Sequence, residues 1–280
     1  MIQILTDSST DFEPCELKEK NILCVPLRVI FDDREYKENI DISKDEFYKT
    51  LKNSPSLPKT SQPSPEDFLK IFEKAKSDND EIVGIFLSSK LSGTYQCAQL
   101  AKNMADFENA HIIDGLSATG GTRILVEYAL NLRNSGFGGK EISEKIEQIK
   151  HKITIVASLD TPENLKKGGR ISETAAALGT AVHIKPIIKI AGNGKIALPS
   201  KVIGLKRTIR YIIRQLMFCG MNTDFPIYVL YADDKSNAVM LANALKEADV
   251  DISPKNIFNI GAVIGTHTGP GAFGIAFVSK

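Results

Sequence analysis

The chain has 280 residues, enough for one large domain or two modest domains with an ample core. It is 42% hydrophobic and 25% charged, as ordinary soluble globular proteins are, and its apolar runs are too short to span a membrane. Residues 1–150 carry 25 acidic and 19 basic side chains, whereas residues 151–280 carry 9 and 16. This split indicates two lobes with a basic docking face on the second, although solvated charge without a function gives the same count.

The first half of the chain alternates strand and helix patterns. Four short apolar runs predict strands, namely QILT, ILCVPLRVIF, EIVGIFLSS and AHIID. Capping signals followed by helically spaced apolar residues predict helices that begin after Ser43, at Pro65, at Gly93 and at Thr119. Strands joined through helices form a mainly parallel sheet, whose ligands lie beyond the carboxyl ends of the strands. The hydroxyl-rich loops TDSST and SSKLSGT are expected there.

The second half has a different pattern. It predicts a strand at TIVASLD, a helix of small residues at ETAAALGTAV and a hairpin that turns at 192–194. Helices are predicted over 205–218 and 236–248, and closing strands at NIFNIGAVIG and AFGIAFV. We therefore predict an α/β fold of two lobes: a mainly parallel α/β lobe over 1–155 and an α+β lobe over 156–280.

Several classes of site can be set aside. The N-terminus enters a strand without a signal-peptide pattern, and the four cysteines have no metal spacing with histidine, so we expect a cytoplasmic protein with free thiols and no metal. Basic runs interleaved with aromatic residues are absent, which argues against nucleic acid as a partner. Residues 269–274, GPGAFG, match the dinucleotide fingerprint G-x-G-x-x-G, but neither a helix pattern nor an acidic residue follows. The tail glycines must therefore serve something other than a nucleotide.

Three side chains stand out as candidates for binding. Ser92 is predicted to be the N-cap of the helix that begins at Gly93, where a helix N-terminus flanked by hydroxyls can bind an anion or the serine can simply cap the helix. Thr60 lies in a proline-punctuated segment, where a hydroxyl also bonds its own backbone. His267 is predicted to lie in a glycine-rich turn. A hydrolase that pairs Ser92 with His267 stays open, because catalytic triads are defined by geometry.

Eight segments resemble, in order, the motif series of the DegV family of bacterial fatty-acid-binding proteins. They are TDSSTDF (6–12), VPL (25–27), KTSQPSPEDF (59–68), SSKLSGTYQCA (88–98), IIDG (112–115), LKKGGRIS (165–172), IKPII (184–188) and GTHTGPGAFGIAF (265–277). The resemblance implies two lobes around a buried long-chain fatty acid, similar to palmitate, and no cofactor. It also implies that a separate ATP-dependent fatty acid kinase phosphorylates the bound carboxylate.

The resemblance assigns roles by position. The carboxylate-binding residues that it implies are Thr60, Ser92 and His267. Positions near the head group or the kinase step are Arg170, Thr266, Ser61 and Gly93. Many members have an arginine where this chain has Ile203; if that arginine helps the kinase step, Arg207 or a neighbour must replace it, or this protein binds lipid without efficient turnover. Docking of the partner is expected at Arg170, Arg207, Arg210 and their neighbours. The expected function is that of a lipid-binding protein and not a free-standing enzyme; an acyl hydrolase or transferase that uses Ser92 and His267 is the alternative, and a basic regulatory module for nucleic acid is a third, weaker one.

Overall fold

A computed structural model describes residues 1–171 and 184–280; the predicted helix ETAAALGTAV lies outside them. The strands are β1 (Ile2–Asp7), β2 (Ile22–Val25), β3 (Arg28–Phe31), β4 (Arg34–Lys37), β5 (Lys59–Ser61), β6 (Glu81–Phe86), β7 (Ala110–Asp114), β8 (Ile153–Ser158), β9 (Ile184–Ile190), β10 (Ile196–Ile203), β11 (Tyr228–Tyr231), β12 (Ile257–Asn259) and β13 (Phe273–Val278). The helices are α1 (Pro14–Glu19), α2 (Lys44–Asn53), α3 (Pro65–Ser77), α4 (Thr94–Met104), α5 (Thr119–Asn134), α6 (Gly139–Ile149), α7 (Glu163–Lys167), α8 (Leu205–Cys219), α9 (Ser236–Lys246) and α10 (Ala262–Thr268).

The strands form three sheets. The first contains four parallel strands in the order β2-β1-β6-β7, as the alternation of strands and helices in the first half predicts. The second contains six strands in the order β10-β9-β8-β13-β11-β12, which are antiparallel except for the pair β11–β12. The third is a small antiparallel sheet in the order β4-β3-β5. The α/β fold class is thereby confirmed. The division of the chain into two lobes at 155/156 stays a prediction, and strand β8 crosses that point.

Helix α5 lies between the two larger sheets and contacts strands of both. Its Gly120 allows this close packing, because a Cβ atom there would be 2.9 Å from Cδ2 of Leu230 in β11. Helices α3 and α4 cover the other face of the parallel sheet, and α8 and α9 cover the other face of the six-stranded sheet. Within residues 1–171 and 184–280, the two larger sheets thus alternate with layers of helices.

Two predicted strands differ from the observed elements. The run ILCVPLRVIF divides into β2 and β3, which belong to different sheets, because Pro26 has no N–H for a ladder and interrupts the pairing. The run NIFNIGAVIG forms β12 and then turns into α10, so the prediction of a strand over its second half is wrong. The carboxylates of Asp11 and Glu38 accept bonds from N–H groups at the start of α10 and stabilise a helix there.

The described residues contain neither a membrane-spanning helix nor a metal-binding cluster. No helix in residues 1–171 and 184–280 is long and apolar enough to cross a bilayer. The same residues contain no cluster of three or more histidine, cysteine or acidic side chains that could hold a metal ion.

Candidate functional site

A cavity of about 320 Å³ lies between loops at the carboxyl ends of the parallel strands and the face of the six-stranded sheet that is turned away from α8. Most of its wall is aliphatic. The aliphatic residues from the six-stranded sheet are Ile155, Ala157, Ile188, Ile190, Ile196 and Leu230. The polar lining residues are Thr119 and a set here called the polar cluster, namely Thr60, Ser61, Gln62, Ser92, Arg170, His267 and Thr268. A cavity with this lining suits an elongated apolar ligand that carries one polar group.

Thr60 and His267 form the central contact of the polar cluster. The Thr60 hydroxyl lies 2.9 Å from Nε2 of His267. Thr60 belongs to strand β5, where it pairs with Val29, and is therefore not a loop residue. His267 lies in the last turn of α10, so its prediction within a glycine-rich turn is wrong. Two rigid elements, a strand and a helix, hold this pair.

The His267 imidazole is neutral at physiological pH. Burial, with a smaller effect from the positive charge of Arg170, lowers the pKa of His267 from 6.5 to about 4. Among the described residues Nδ1 has no hydrogen-bond partner, and it faces Gly168, where a Cβ atom would be only 2.3 Å away. If Nε2 carries the proton, it donates to the Thr60 oxygen and leaves the Thr60 hydroxyl proton free to donate elsewhere.

Ser92 differs from its predicted position by one residue. The N-cap of α4 is Gly93, and the Ser92 oxygen lies 2.9 Å from the Thr94 hydroxyl and accepts a bond from the Thr94 N–H at 3.4 Å. Ser92 is therefore not the N-cap, although it still contacts the first turn of the helix. Gly93 lines the cavity and gives room to the Gln62 side chain, because a Cβ atom at residue 93 would be 2.0 Å from Oε1 of Gln62.

Arg170 brings a positive charge to the cavity. Its Nε donates a 3.0 Å bond to the Leu91 carbonyl, and Nη1 donates to the Gly168 carbonyl. Burial lowers the pKa of its guanidinium, which still stays charged near neutral pH. Arg170 thus connects the loop that carries Ser92 with the segment that packs against His267.

Three predicted residues lie elsewhere. The Thr266 hydroxyl donates a 2.9 Å bond to the Ala262 carbonyl, and Thr266 does not line the cavity. Thr268, two residues further along the chain, lines it instead. Arg207 and Arg210 are exposed on α8, across the six-stranded sheet from the cavity. Sequence reasoning missed Thr268 and Gln62 as lining residues, although each is within two residues of a predicted one.

The glycines of the tail have structural reasons that do not involve a phosphate. Gly269 and Gly271 have φ of +74° and +81°, which residues with a Cβ rarely adopt. Gly274 in β13 lies against β8, where a Cβ atom would be 2.4 Å from the Val156 carbonyl oxygen. The fingerprint-like spacing thus serves the turn after α10 and the close packing of two strands.

Comparisons with known proteins identify a matching family model, similar sequences and similar folds. A family model with the description "Uncharacterised protein, DegV family" matches residues 1–280. A DegV domain-containing protein from Caldanaerobacter subterraneus is 33% identical over 279 residues, which cover 100% of this chain and 99% of the relative. Among solved structures, a DegV family protein from Thermus thermophilus with fatty acid binding has a TM-score of 0.90 and 28% identity. A stearic acid-binding protein from Eubacterium ventriosum has a TM-score of 0.90 and 26% identity. Each alignment covers 100% of this chain and 99% of the other. The chain therefore belongs to the DegV family.

Proposed function

We propose that this protein binds one long-chain fatty acid, similar to palmitate, with the acyl chain in the aliphatic part of the cavity and the carboxylate at the polar cluster. The observation that carries the proposal is the combination of an aliphatic cavity with hydroxyls, a neutral imidazole and an arginine in its wall. Fatty acid binding by the structural relatives supports it further. The acyl chain of a sixteen-carbon acid has about fourteen methylenes, and each contributes roughly 0.8 kcal/mol on burial.

The head group is held by hydrogen bonds in this proposal. His267 donates from Nε2 to the Thr60 oxygen, and the Thr60 hydroxyl then donates to the carboxylate. The Ser92 hydroxyl, now beside Thr94, rotates to supply a second donor. Hydrogen bonds to a charged acceptor contribute about 1.5–3 kcal/mol each, and the Arg170 charge favours the ionised acid.

We further propose that the bound acid is presented to a separate ATP-dependent kinase, which phosphorylates the carboxylate. Two features support this role. Gln62 is exposed and also lines the cavity, so the polar cluster extends to the protein surface. The basic face of α8 offers a docking surface that is separate from the cavity. A hydrolase that uses Ser92 and His267 is less well supported, because among the described residues Ser92 bonds to Thr94 and His267 bonds to Thr60.

Lipid analysis of the purified protein tests the ligand. We expect extraction and mass spectrometry to recover close to one fatty acid per chain after native purification. Recovery of no lipid, or of nucleotides alone, would contradict the proposal.

Titration of a fatty acid and its methyl ester tests the head-group residues. Thr60→Val and Ser92→Ala each delete a donor, and we expect each to weaken binding of the acid by about 1.5–3 kcal/mol, roughly tenfold to a hundredfold, with little effect on the ester. Thr266→Val is the matched control, because this hydroxyl bonds within its own helix. A preference for the acid that survives in the Thr60/Ser92 double variant would exclude these two residues as the anchor. Turnover of the ester without a partner would instead favour the hydrolase.

A further inference from the structure

Two buried carboxylates of the first lobe hold the start of α10. The Asp11 Oδ1 accepts a 2.8 Å bond from the Gly261 N–H, and the Glu38 Oε1 accepts a 2.9 Å bond from the Val263 N–H. Both acidic residues are only 1% exposed. Gly261 lies against both, since a Cβ atom there would be 2.4 Å from the Glu38 Oε1 and 3.0 Å from the Asp11 Oδ1. The first N–H groups of a helix lack partners within it, so these carboxylates fix where α10 begins.

The two carboxylates are themselves held in place. The Glu38 Oε2 accepts a 2.5 Å bond from the Ser8 hydroxyl, and the Asp11 Oδ2 accepts a bond from the Thr119 hydroxyl. The Lys44 ammonium donates a 3.0 Å bond to the Asp11 carbonyl. Other ionisable groups that interact with the two carboxyls are Cys24, Lys44, Tyr48 and Arg123, and Lys44 also bonds to the Glu13 carboxylate. With every carboxylate oxygen bonded, neither group is free to follow a shift of the helix.

One small sheet reaches both ends of α10. Glu38 follows directly after β4, whereas Thr60 lies in β5, and both strands pair with β3. Glu38 bonds to Val263 at the start of the helix, and Thr60 contacts His267 in its last turn. The two helical residues are four positions apart, roughly 6 Å along the axis. The small sheet therefore contacts α10 at both ends, so a shift at the start of the helix changes the contact between His267 and Thr60 at its end.

We propose that Glu38 and Asp11 are positioning residues of the binding site, which set the contact between His267 and Thr60 by fixing the start of α10. This inference rests on the proposed function where it concerns ligand affinity, because Thr60 and His267 hold the carboxylate there. The contact itself can be measured without any ligand, which separates the two ideas experimentally.

Titration of His267 by NMR in delipidated protein is the first test. In the wild type we expect the pKa of His267 to be about 4. In Glu38→Ala and in Gly261→Ala we expect it to rise by at least one unit toward 6.5, because the imidazole leaves its buried position. Glu38→Gln should restore the wild-type titration, since its amide oxygen accepts from Val263 and its amide N–H donates to Ser8. Asp80→Ala, which removes a carboxyl that bonds the Met1 amino group, should leave it unchanged.

Binding of a fatty acid and its methyl ester is the second test. We expect Glu38→Ala and Gly261→Ala to lose at least tenfold in affinity for the acid and less than threefold for the ester, with rescue of the acid by Glu38→Gln. If Glu38→Ala does not fold, Gly261→Ala carries the test, because its φ of −73° suits alanine. Unchanged His267 titration in the variants that fold would overturn the positioning role. A shifted titration in a protein that binds no fatty acid would keep that role and reject the proposed ligand.

Discussion

Gly168 shows how one absent methyl group determines the position of His267. The imidazole occupies the space that a side chain would need, because a Cβ atom at residue 168 would be 2.3 Å from Nδ1 and 2.6 Å from Cε1. The backbone of Gly168 is right-handed, with φ of −74°, so the residue is required for space and not for its conformation. A substitution at Gly168 therefore tests the placement of the His267 imidazole without adding backbone strain.

We expect Gly168→Ala to displace His267 from Thr60 and to weaken fatty acid binding by roughly tenfold, the loss of one charge-assisted hydrogen bond. Stability should change little, because alanine adopts this backbone conformation readily and restricts the unfolded chain. Calorimetric titration of the acid and its methyl ester, together with thermal melting, checks both statements. Gly138→Ala is the control, since its nearest neighbour atom would be 3.6 Å from the new Cβ. Equal weakening of acid and ester would show that the cavity, and not the head-group site, has changed.

At the scale of elements, helices that are fixed by neighbouring residues were predicted well, and elements that depend on distant residues were predicted less well. Ser43 and Ser64 cap α2 and α3 as their sequences indicate, because a capping box needs only neighbouring residues. The start of α10 could not be predicted in this way, since its bonding partners, Asp11 and Glu38, are more than 200 residues away in the chain. The short strands β4 and β5 also lack a strong pattern, so the strand position of Thr60 was missed.

The same limit applies to the binding site. The residue pattern singled out Ser92, Thr60 and His267, and the resemblance to the DegV family added Arg170; all four line the cavity. The sequence did not reveal that Thr268 lines the cavity and that Thr266 does not, because this depends on the phase of α10. The two threonines are two residues apart, roughly 200° around the helix axis, and therefore lie on different faces of the helix.

Helix α8 carries the prediction about a partner. Its exposed face presents four basic residues, Lys206, Arg207, Arg210 and Arg214. If this face docks an acidic kinase surface, Arg207→Glu with Arg210→Glu should slow kinase-dependent acyl phosphate formation at least tenfold, because steering is lost. Fatty acid binding should persist, since α8 lies across the sheet from the cavity. Lys140→Glu with Lys145→Glu on α6 controls for net charge, and wild-type rates in the α8 variant would reject this surface.

The stability of the whole molecule should depend on the buried carboxyls. Burial and the nearby Asp11 charge raise the pKa of Glu38 from 4.5 to about 7, and burial raises the pKa of Asp11 from 3.8 to about 6. The folded state therefore keeps protons that the unfolded state releases. Asp11 lowers the free energy of unfolding as pH rises from about 3.8 to 6, and Glu38 lowers it as pH rises from about 4.5 to 7. Burial lowers the pKa of His267 from 6.5 to about 4, so this group acts in the opposite direction between pH 4 and 6.5.

Glu38→Gln isolates the carboxyl contribution. An amide does not titrate, so we expect the fall in the free energy of unfolding between pH 5 and pH 8 to shrink by up to about 3 kcal/mol, the equivalent of the Glu38 shift. Urea denaturation at pH 5, 6.5 and 8 measures this difference. Parallel pH profiles in wild type and variant would show that Glu38 has the same pKa in both states.

Strand β13 comes last among the strands of the described residues, yet it lies in the interior of the six-stranded sheet, between β8 and β11. The parallel sheet, by contrast, is complete at residue 114. During translation the first sheet can therefore form early, whereas β8–β9–β10 and β11–β12 remain separate units with unpaired edges until β13 leaves the ribosome. Because Gly274 of β13 and His267 just before it both line the cavity, a nascent chain gains its binding site only after β13 has emerged.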